Sequence, residues 1–168
     1  MNYIAGLGQF MRGDDGIGIH VIEYLEANYP PSGHYQIIDL SDNIWSLLPF
    51  LVQATDKILI IDCSYMGKVA GEYTLFTVDN IIDEMTEGEM TEDRIERTEF
   101  TEAKVEMGAS HVTSIRQFLQ LAEKSGNYVP DILIMGIEPE TVDYSVELSK
   151  ALQQQLPKYA AIAVNSIS

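Results

Sequence analysis

The chain has 168 residues, of which 46% are hydrophobic, enough for a single domain over 1–168 with its own apolar core. Its formal net charge of −16 argues against nucleic-acid binding, because Lys and Arg supply most of the affinity for phosphate backbones. Its one cysteine, Cys63, excludes an internal disulfide, and no apolar run reaches the ~18 residues that span a bilayer, so we predict a cytoplasmic protein without a membrane partner.

The first part of the chain alternates between strand and helix patterns. The predicted elements are a strand at Tyr3–Leu7, a helix with Ile17, Val21, Ile22 and Leu25 on its apolar face, a strand at Tyr35–Leu40, a helix at Ile44–Ala54 and a strand at Lys57–Asp62. The last of these is apolar without polar alternation. That pattern is typical of a central parallel strand covered on both faces.

The second part of the chain predicts two more strands, one of them antiparallel, and three more helices. The elements are a strand at Gly71–Val78, a helix at His111–Lys124 with Ser110 as N-cap, a strand at Asp131–Ile137, and helices at Ser145–Gln155 and Lys158–Ile167 separated by Pro157. Gly71–Val78 follows Asp62 too closely for a helical crossover, so we expect an antiparallel edge strand. The predicted fold is α/β: a three-layer αβα sandwich with a mixed, mostly parallel five-stranded sheet.

Residues 79–106 form an acidic stretch. It carries 11 acidic residues against three basic ones, half of the chain's net charge. A solvated loop is the favoured interpretation, and a surface that steers a basic partner is the alternative.

Three separated residues are candidate metal ligands. Asp15 lies with Asp14 at the tip of a glycine-rich loop after the first strand, Asp62 closes the third strand, and His111 opens a later helix. The carboxyl ends of parallel strands carry ligand sites in open α/β sheets. Carboxylates and an imidazole suit borderline divalent metals such as zinc, nickel or cobalt. Either aspartate of the pair could instead cap the helix, and we expect one of them to do so.

Other motifs carry weaker signals. The Gly6-x-Gly8 loop is compatible with a nucleotide-binding α/β module, but Met11 stands where that fingerprint needs a third glycine. For Cys63 a packing role is favoured over a nucleophilic one. Glu138 follows the last strand and could either support the site or belong only to a turn.

In sum the motifs resemble the NiFe-hydrogenase maturation endopeptidases, which trim the C-terminus of the hydrogenase large subunit. The matching positions, in chain order, are Gly6, Gly8, Asp14, Asp15, Gly16, Gly18, Ile60-Ile61-Asp62, Ser110-His111 and Gly136-Ile137-Glu138-Pro139-Glu140. Gln9 departs from the family's usual asparagine, and Asp15 stands where some members have glutamate. The stretch between Asp62 and His111 is longer than in compact members.

The resemblance implies an activity and a metal. It implies that Asp15, Asp62 and His111 bind nickel already inserted in the large-subunit precursor, and that the protein is a peptidase without a tightly held metal of its own. Asp14 stays outside this catalytic set. A non-catalytic metal checkpoint or chaperone that uses the same three ligands is the alternative, and a nucleotide-binding module is a further one.

Overall fold

The computed structural model describes residues 1–77 and 114–167. The strands are β1 (Asn2–Leu7), β2 (Tyr35–Ser41), β3 (Lys57–Cys63), β4 (Tyr73–Thr77) and β5 (Asp131–Ile137). The helices are α1 (Ile17–Asn28), α2 (114–124), α3 (Lys150–Gln153) and α4 (Leu156–Ile167), and 3₁₀ segments lie at Gly13–Gly16 and Ile44–Phe50.

The five strands form one sheet in the order β2-β1-β3-β5-β4. The pairs β1–β2, β1–β3 and β3–β5 are parallel, whereas β4 runs antiparallel to β5 at the edge of the sheet. The predicted mixed sheet with one antiparallel edge strand is confirmed. The carboxyl ends of β1 and β3 are neighbours, so the segments that follow these strands start at one end of the sheet.

Apolar side chains of β3 alternate between two cores, one on each face of the sheet. Leu59 and Ile61 pack in the core that α1 and α4 cover. Ile58 and Ile60 pack in the other, which the Ile44–Phe50 segment and α2 cover. Helical layers on both faces explain why β3 has no polar alternation, and they confirm the predicted three layers.

The predicted α-helix at Ile44–Ala54 is wrong. The segment is a 3₁₀ helix that ends at Phe50 and contains Pro49. Proline has no amide hydrogen for the i→i−4 ladder, and its ring clashes with the preceding turn of an α-helix. The apolar side chains in and just after this segment are only partly buried: Leu47 and Leu51 are buried, while Trp45 is 52% exposed.

The two C-terminal helices begin at other residues than predicted. In place of a helix at Ser145–Gln155, only Lys150–Gln153 is α-helical, because the backbone of Ser145 forms a bridge with Arg12. The last helix begins at Leu156 rather than Lys158, so Pro157 lies in its first turn, where proline costs no hydrogen bond. The predicted N-cap and first residue of α2, Ser110 and His111, lie outside the described residues.

Within the described part of the chain, none of the helices is long and apolar enough to cross a membrane.

Candidate active site

The loop after β1 delivers two buried acids to the carboxyl end of the sheet. Asp14 is fully buried and Asp15 nearly so, in the 3₁₀ turn Gly13–Gly16 between β1 and α1. The turn folds back tightly on the loop: Gly8 has a φ of 143°, and a Cβ there would collide with the carbonyl oxygen of Asp15. Position 8 therefore requires glycine, because the Asp15 carbonyl leaves no space for a side chain there.

Asp14 holds two distant loops together. Its Oδ2 accepts hydrogen bonds from the amides of Glu140 (2.8 Å) and Thr141 (3.1 Å), and its Oδ1 accepts one from the amide of Ser149 (2.7 Å). The N-cap position of α1 is Gly16, which makes no side-chain cap. These contacts give Asp14 a structural role. It bonds distant amides and does not cap the helix that follows it, which one acid of the pair was expected to do.

Asp62 is fully buried near the carboxyl end of β3. Its Oδ1 accepts a hydrogen bond from the Cys63 amide at 2.8 Å, and it pairs in register with Gly136 of β5. Because side chains alternate along a strand, Asp62 faces the same side of the sheet as Ile60, the side that α2 covers.

The carboxylates of Asp15 and Asp62 both raise the pKa of the same buried thiol, that of Cys63. Burial raises the pKa of Cys63, and the nearby carboxylates of Asp62, Asp15, Asp14 and Glu138 raise it further. Cys63 therefore stays protonated, and it packs in the core beneath α1 and α4. The structure thus brings Asp15 and Asp62 to one end of the sheet and gives the cysteine a packing role.

The third predicted ligand, His111, lies outside the described residues. Within 1–77 and 114–167 no three His, Cys, Asp or Glu side chains are grouped so that they could hold a metal ion. Of the predicted trio, the structure therefore describes only Asp15 and Asp62, and the helical residues 114–124 that follow His111 cover the face on which Asp62 lies.

Glu138 organises the loop that follows Asp62. It is buried directly after β5, and its Oε2 accepts hydrogen bonds from the amides of Met66 (2.5 Å) and Lys68 (3.3 Å). The sequence left its role open between support of the site and a turn. The contacts show that it positions the loop beyond β3, next to the site rather than in it.

Tyr65 and Arg12 were not singled out from the sequence. The pKa of Tyr65 is raised by burial and by Cys63 and Asp15, while the guanidinium of Arg12 lowers it. Tyr65 therefore lies near both Asp15 and the guanidinium of Arg12. An Arg or a Tyr in a loop is too common for its sequence context to mark it, and only the fold shows this proximity.

The arrangement defines an α/β protein with buried carboxylates at the ends of two central parallel strands, and solved proteins share its fold. The hydrogenase maturating endopeptidase HybD from E. coli matches with a TM-score of 0.72 at 16% identity, covering 98% of this chain and 90% of HybD. The NiFe hydrogenase maturation protease HybD from Thermococcus kodakarensis matches with a TM-score of 0.67 at 21% identity, covering 99% of each chain.

Sequence comparison gives the family. The hydrogenase expression/formation protein HoxM of Azotobacter vinelandii is 22% identical over 166 residues, 98% of this chain and 71% of HoxM. The family model for hydrogenase maturation proteases matches residues 19–92 and 91–166, and the chain belongs to this family. The resemblance found in its motifs is thereby confirmed.

Proposed function

We propose that the protein is an endopeptidase that removes the C-terminal extension of a NiFe-hydrogenase large-subunit precursor after nickel has been inserted. Membership of a protease family supports the hydrolytic activity. The observation that supports the proposal is the burial of Asp15 and Asp62 at the same end of the sheet, where both carboxylates raise the pKa of Cys63. Burying an ionised carboxylate costs free energy unless it gains a partner cation or strong hydrogen bonds.

In this proposal the metal arrives with the substrate. Asp15, Asp62 and His111 would hold the nickel of the precursor with two oxygens and one nitrogen. The ion would polarise the scissile carbonyl and lower the pKa of a water molecule. In the hydrolysis the water oxygen bonds to the carbonyl carbon, the carbon–nitrogen bond breaks, and the leaving amine takes a proton.

The glycines of the first loop have a sufficient explanation without a nucleotide. A Cβ at Gly6 would collide with the backbone of Gly18, and one at Gly8 with that of Asp15. The space that a pyrophosphate would need against these glycines is occupied by the start of α1 and by the acidic turn. Buried acids at this position would also repel a phosphate.

Cleavage of defined precursors tests the proposed function. The large-subunit precursor from the same organism is produced with and without nickel, incubated with the protein, and followed by mass spectrometry of the C-terminal peptide. We expect cleavage of the nickel-loaded precursor only. Equal cleavage of both forms in the presence of a chelator would contradict the metal requirement, and cleavage of neither would favour a checkpoint protein without hydrolytic activity.

A further inference from the structure

The outer edge of β4 is open to solvent among the described residues. β4 pairs with β5 on one side, and no other strand of 1–77 or 114–167 pairs with it. The carbonyl of Glu72 accepts a hydrogen bond from the amide of Glu138 on the β5 side. Because backbone groups alternate in an antiparallel pair, those of Tyr73 and Leu75 point away from β5. This edge can therefore bond another extended chain.

A groove of about 450 Å³ runs along this edge, lined by Lys68, Glu72, Tyr73, Thr74, Leu75 and Lys158. The Lys68 ammonium donates to Oγ1 of Thr74 at 2.7 Å. The Lys158 ammonium lies 5.4 Å from the centre of the Tyr73 ring and donates to Gln155 at 3.3 Å. Since Tyr73 and Thr74 are consecutive in a strand, their side chains lie on opposite faces, and one lysine flanks each face of the edge.

The two lysines make this groove locally positive on an acidic protein. The chain has a net charge of −16, yet the described residues that line the groove carry two ammonium groups and one carboxylate, that of Glu72. Neither lysine forms an ion pair with an Asp or Glu of the described residues. The negative net charge of the protein repels an acidic partner, whereas the two lysines of the groove attract it.

We propose that the edge of β4 binds an extended acidic segment of the hydrogenase large-subunit precursor by strand addition. Main-chain hydrogen bonds to Tyr73 and Leu75 supply affinity, and a carboxylate of the segment between Lys68 and Lys158 supplies selectivity. The identity of the partner rests on the function proposed above.

Glu138 connects this groove to the candidate active site. Its carboxylate binds the amide of Lys68, its backbone bonds Gly71 and Glu72 at the start of the edge, and its charge acts on Cys63 beside Asp62. Gly136 of β5 pairs with Thr74 of β4 on one side and with Asp62 of β3 on the other, so a segment bound along β4 lies at the same end of the sheet as Asp62, with β5 and β4 between them. Such anchoring would align the precursor before cleavage and raise the effective concentration of the scissile bond.

A direct binding assay needs no cleavage. The probe is a fluorescent peptide of about ten residues, alternating Thr and Val with one central Glu, compared with the same peptide carrying Gln at that position. We expect fluorescence anisotropy to show about threefold to tenfold tighter binding of the Glu peptide at low salt, with the difference shrinking as salt is raised. Backbone NMR should show slower amide exchange at Tyr73 and Leu75.

Charge variants locate the site. Lys68→Gln combined with Lys158→Gln should remove the preference for the Glu peptide and raise the KM for precursor about threefold to tenfold with kcat unchanged. Glu72→Gln should strengthen binding of the Glu peptide. Lys124→Gln, an equal charge change outside the groove, is the control and should alter neither quantity.

The outcomes separate this inference from the proposed function. Lysine-dependent peptide binding without cleavage of any precursor would remove the proposed function and leave the groove intact. An unchanged KM in the double lysine variant, equal affinity for both peptides, or unprotected Tyr73 and Leu75 amides in the complex would overturn strand addition of an acidic segment. Dimerisation in sedimentation experiments that competes with the peptide would assign the edge to a second copy of the chain, and would overturn it too.

Discussion

Two aspartates in this protein, Asp14 and Asp62, are fully buried. Asp14 accepts three hydrogen bonds from backbone amides with its two oxygens, which accounts for its burial by structure alone. Asp62 accepts a bond from the amide that follows it and lies at the end of a central strand, where α/β sheets carry their sites. Burial by itself therefore does not identify a functional acid, and the functional role of Asp62 is a proposal that its position supports.

Asp14→Asn should destabilise the fold. An asparagine amide group would place its own donors against backbone N–H groups, so at least one of the amides of Glu140, Thr141 and Ser149 would lose its acceptor. Leaving a buried donor unsatisfied costs about 1–3 kcal/mol. Urea denaturation measures the change, with the exposed Glu26→Gln as a control. A free energy of unfolding equal to that of the wild type would contradict the structural role.

Asp62→Asn should abolish processing without unfolding the protein. The asparagine has nearly the same shape but provides a weaker, neutral metal ligand. Even changes behind the ligands of metal sites lower affinity or activity 10–100-fold, so we expect a loss of at least about 100-fold in cleavage rate. Cleavage of nickel-loaded precursor gives the rate, and circular dichroism checks the fold. Near-normal cleavage by the folded variant would remove Asp62 from the site, and Glu26→Gln should cleave normally.

His20 should make the fold sensitive to mild acid. Burial lowers the pKa of His20 from 6.5, outweighing the raising effects of Glu23, the Val146 backbone and Asp14. The unfolded chain thus binds the proton more readily. The contribution of a neutral His20 is fully present above pH 6.5 and is lost as the pH falls towards the lowered value.

Denaturation midpoints at about pH 5.5 and about pH 7.5 test this contribution. His20→Gln, which cannot be protonated, should lose less stability than the wild type between these two values. Identical pH dependence of the two proteins would show that His20 does not contribute.

At the level of elements, the strands were the predictable part of this fold. Continuous apolar runs at β3 and β5 can be satisfied only by burial on both faces, so their sequences determine their place in the sheet. The segments at Ile44–Phe50 and after Ser145 were not predictable in the same way. One is limited by Pro49, and the other is held extended by Arg12, a residue more than a hundred positions away.

In the candidate site, too, some features could be predicted from the sequence and others could not. The placement of Asp15 and Asp62 follows from topology, because Asp15 follows β1 and Asp62 lies at the carboxyl end of the neighbouring parallel strand β3. The amide partners of Asp14 lie 126 to 135 residues further along the chain, and such contacts have no local sequence signature. Tyr65 and Glu138 likewise gain their positions from the pairing of β3 with β5.

The start of α1 packs so closely on the sheet that it requires glycine. A Cβ at Gly18 would collide with the carbonyl oxygens of Leu7 and Ile61. Alanine in place of glycine favours a helix by about 1 kcal/mol. Forcing a backbone apart costs about 1–3 kcal/mol or more, so the steric effect dominates.

Gly18→Ala should therefore destabilise the protein by about 1–2 kcal/mol despite its better helix propensity. The matched control is Gly33→Ala, because a Cβ at Gly33 meets nothing within 4 Å. That variant should stay within about 0.5 kcal/mol of the wild type. Thermal and urea denaturation measure both, and a Gly18→Ala variant as stable as Gly33→Ala would show that the backbone gives way easily.

Across the whole molecule, charge is distributed unevenly. The net charge of −16 includes the buried acids at the carboxyl end of the sheet, while two lysines flank the edge of β4. A cation at the buried acids would offset the repulsion among Asp14, Asp15, Asp62 and Glu138, which act together on Cys63. The substrate proposed above would bring a nickel ion to the buried acids, and its proposed acidic segment would meet the two lysines at the edge of β4.

A metal supplied by the substrate implies weak binding by the isolated protein. The proposed ligands are only Asp15, Asp62 and His111, with no thiolate, and the described residues alone contain no group that could hold a metal ion. We therefore expect nickel added to the purified protein to be removed by dialysis, leaving far less than one equivalent by mass spectrometry of the metal.

Weak binding of nickel by the isolated protein also predicts how its thermal stability responds to nickel in solution. A ligand that binds only the folded state raises its stability according to its concentration relative to Kd, so nickel at a concentration below a high Kd should barely shift the Tm. Metal-free protein should nevertheless cleave nickel-loaded precursor at the full rate, with Asp62→Asn as the inactive control. Retention of one equivalent of nickel through dialysis, together with loss of cleavage when that nickel is removed, would show instead that the metal belongs to the enzyme.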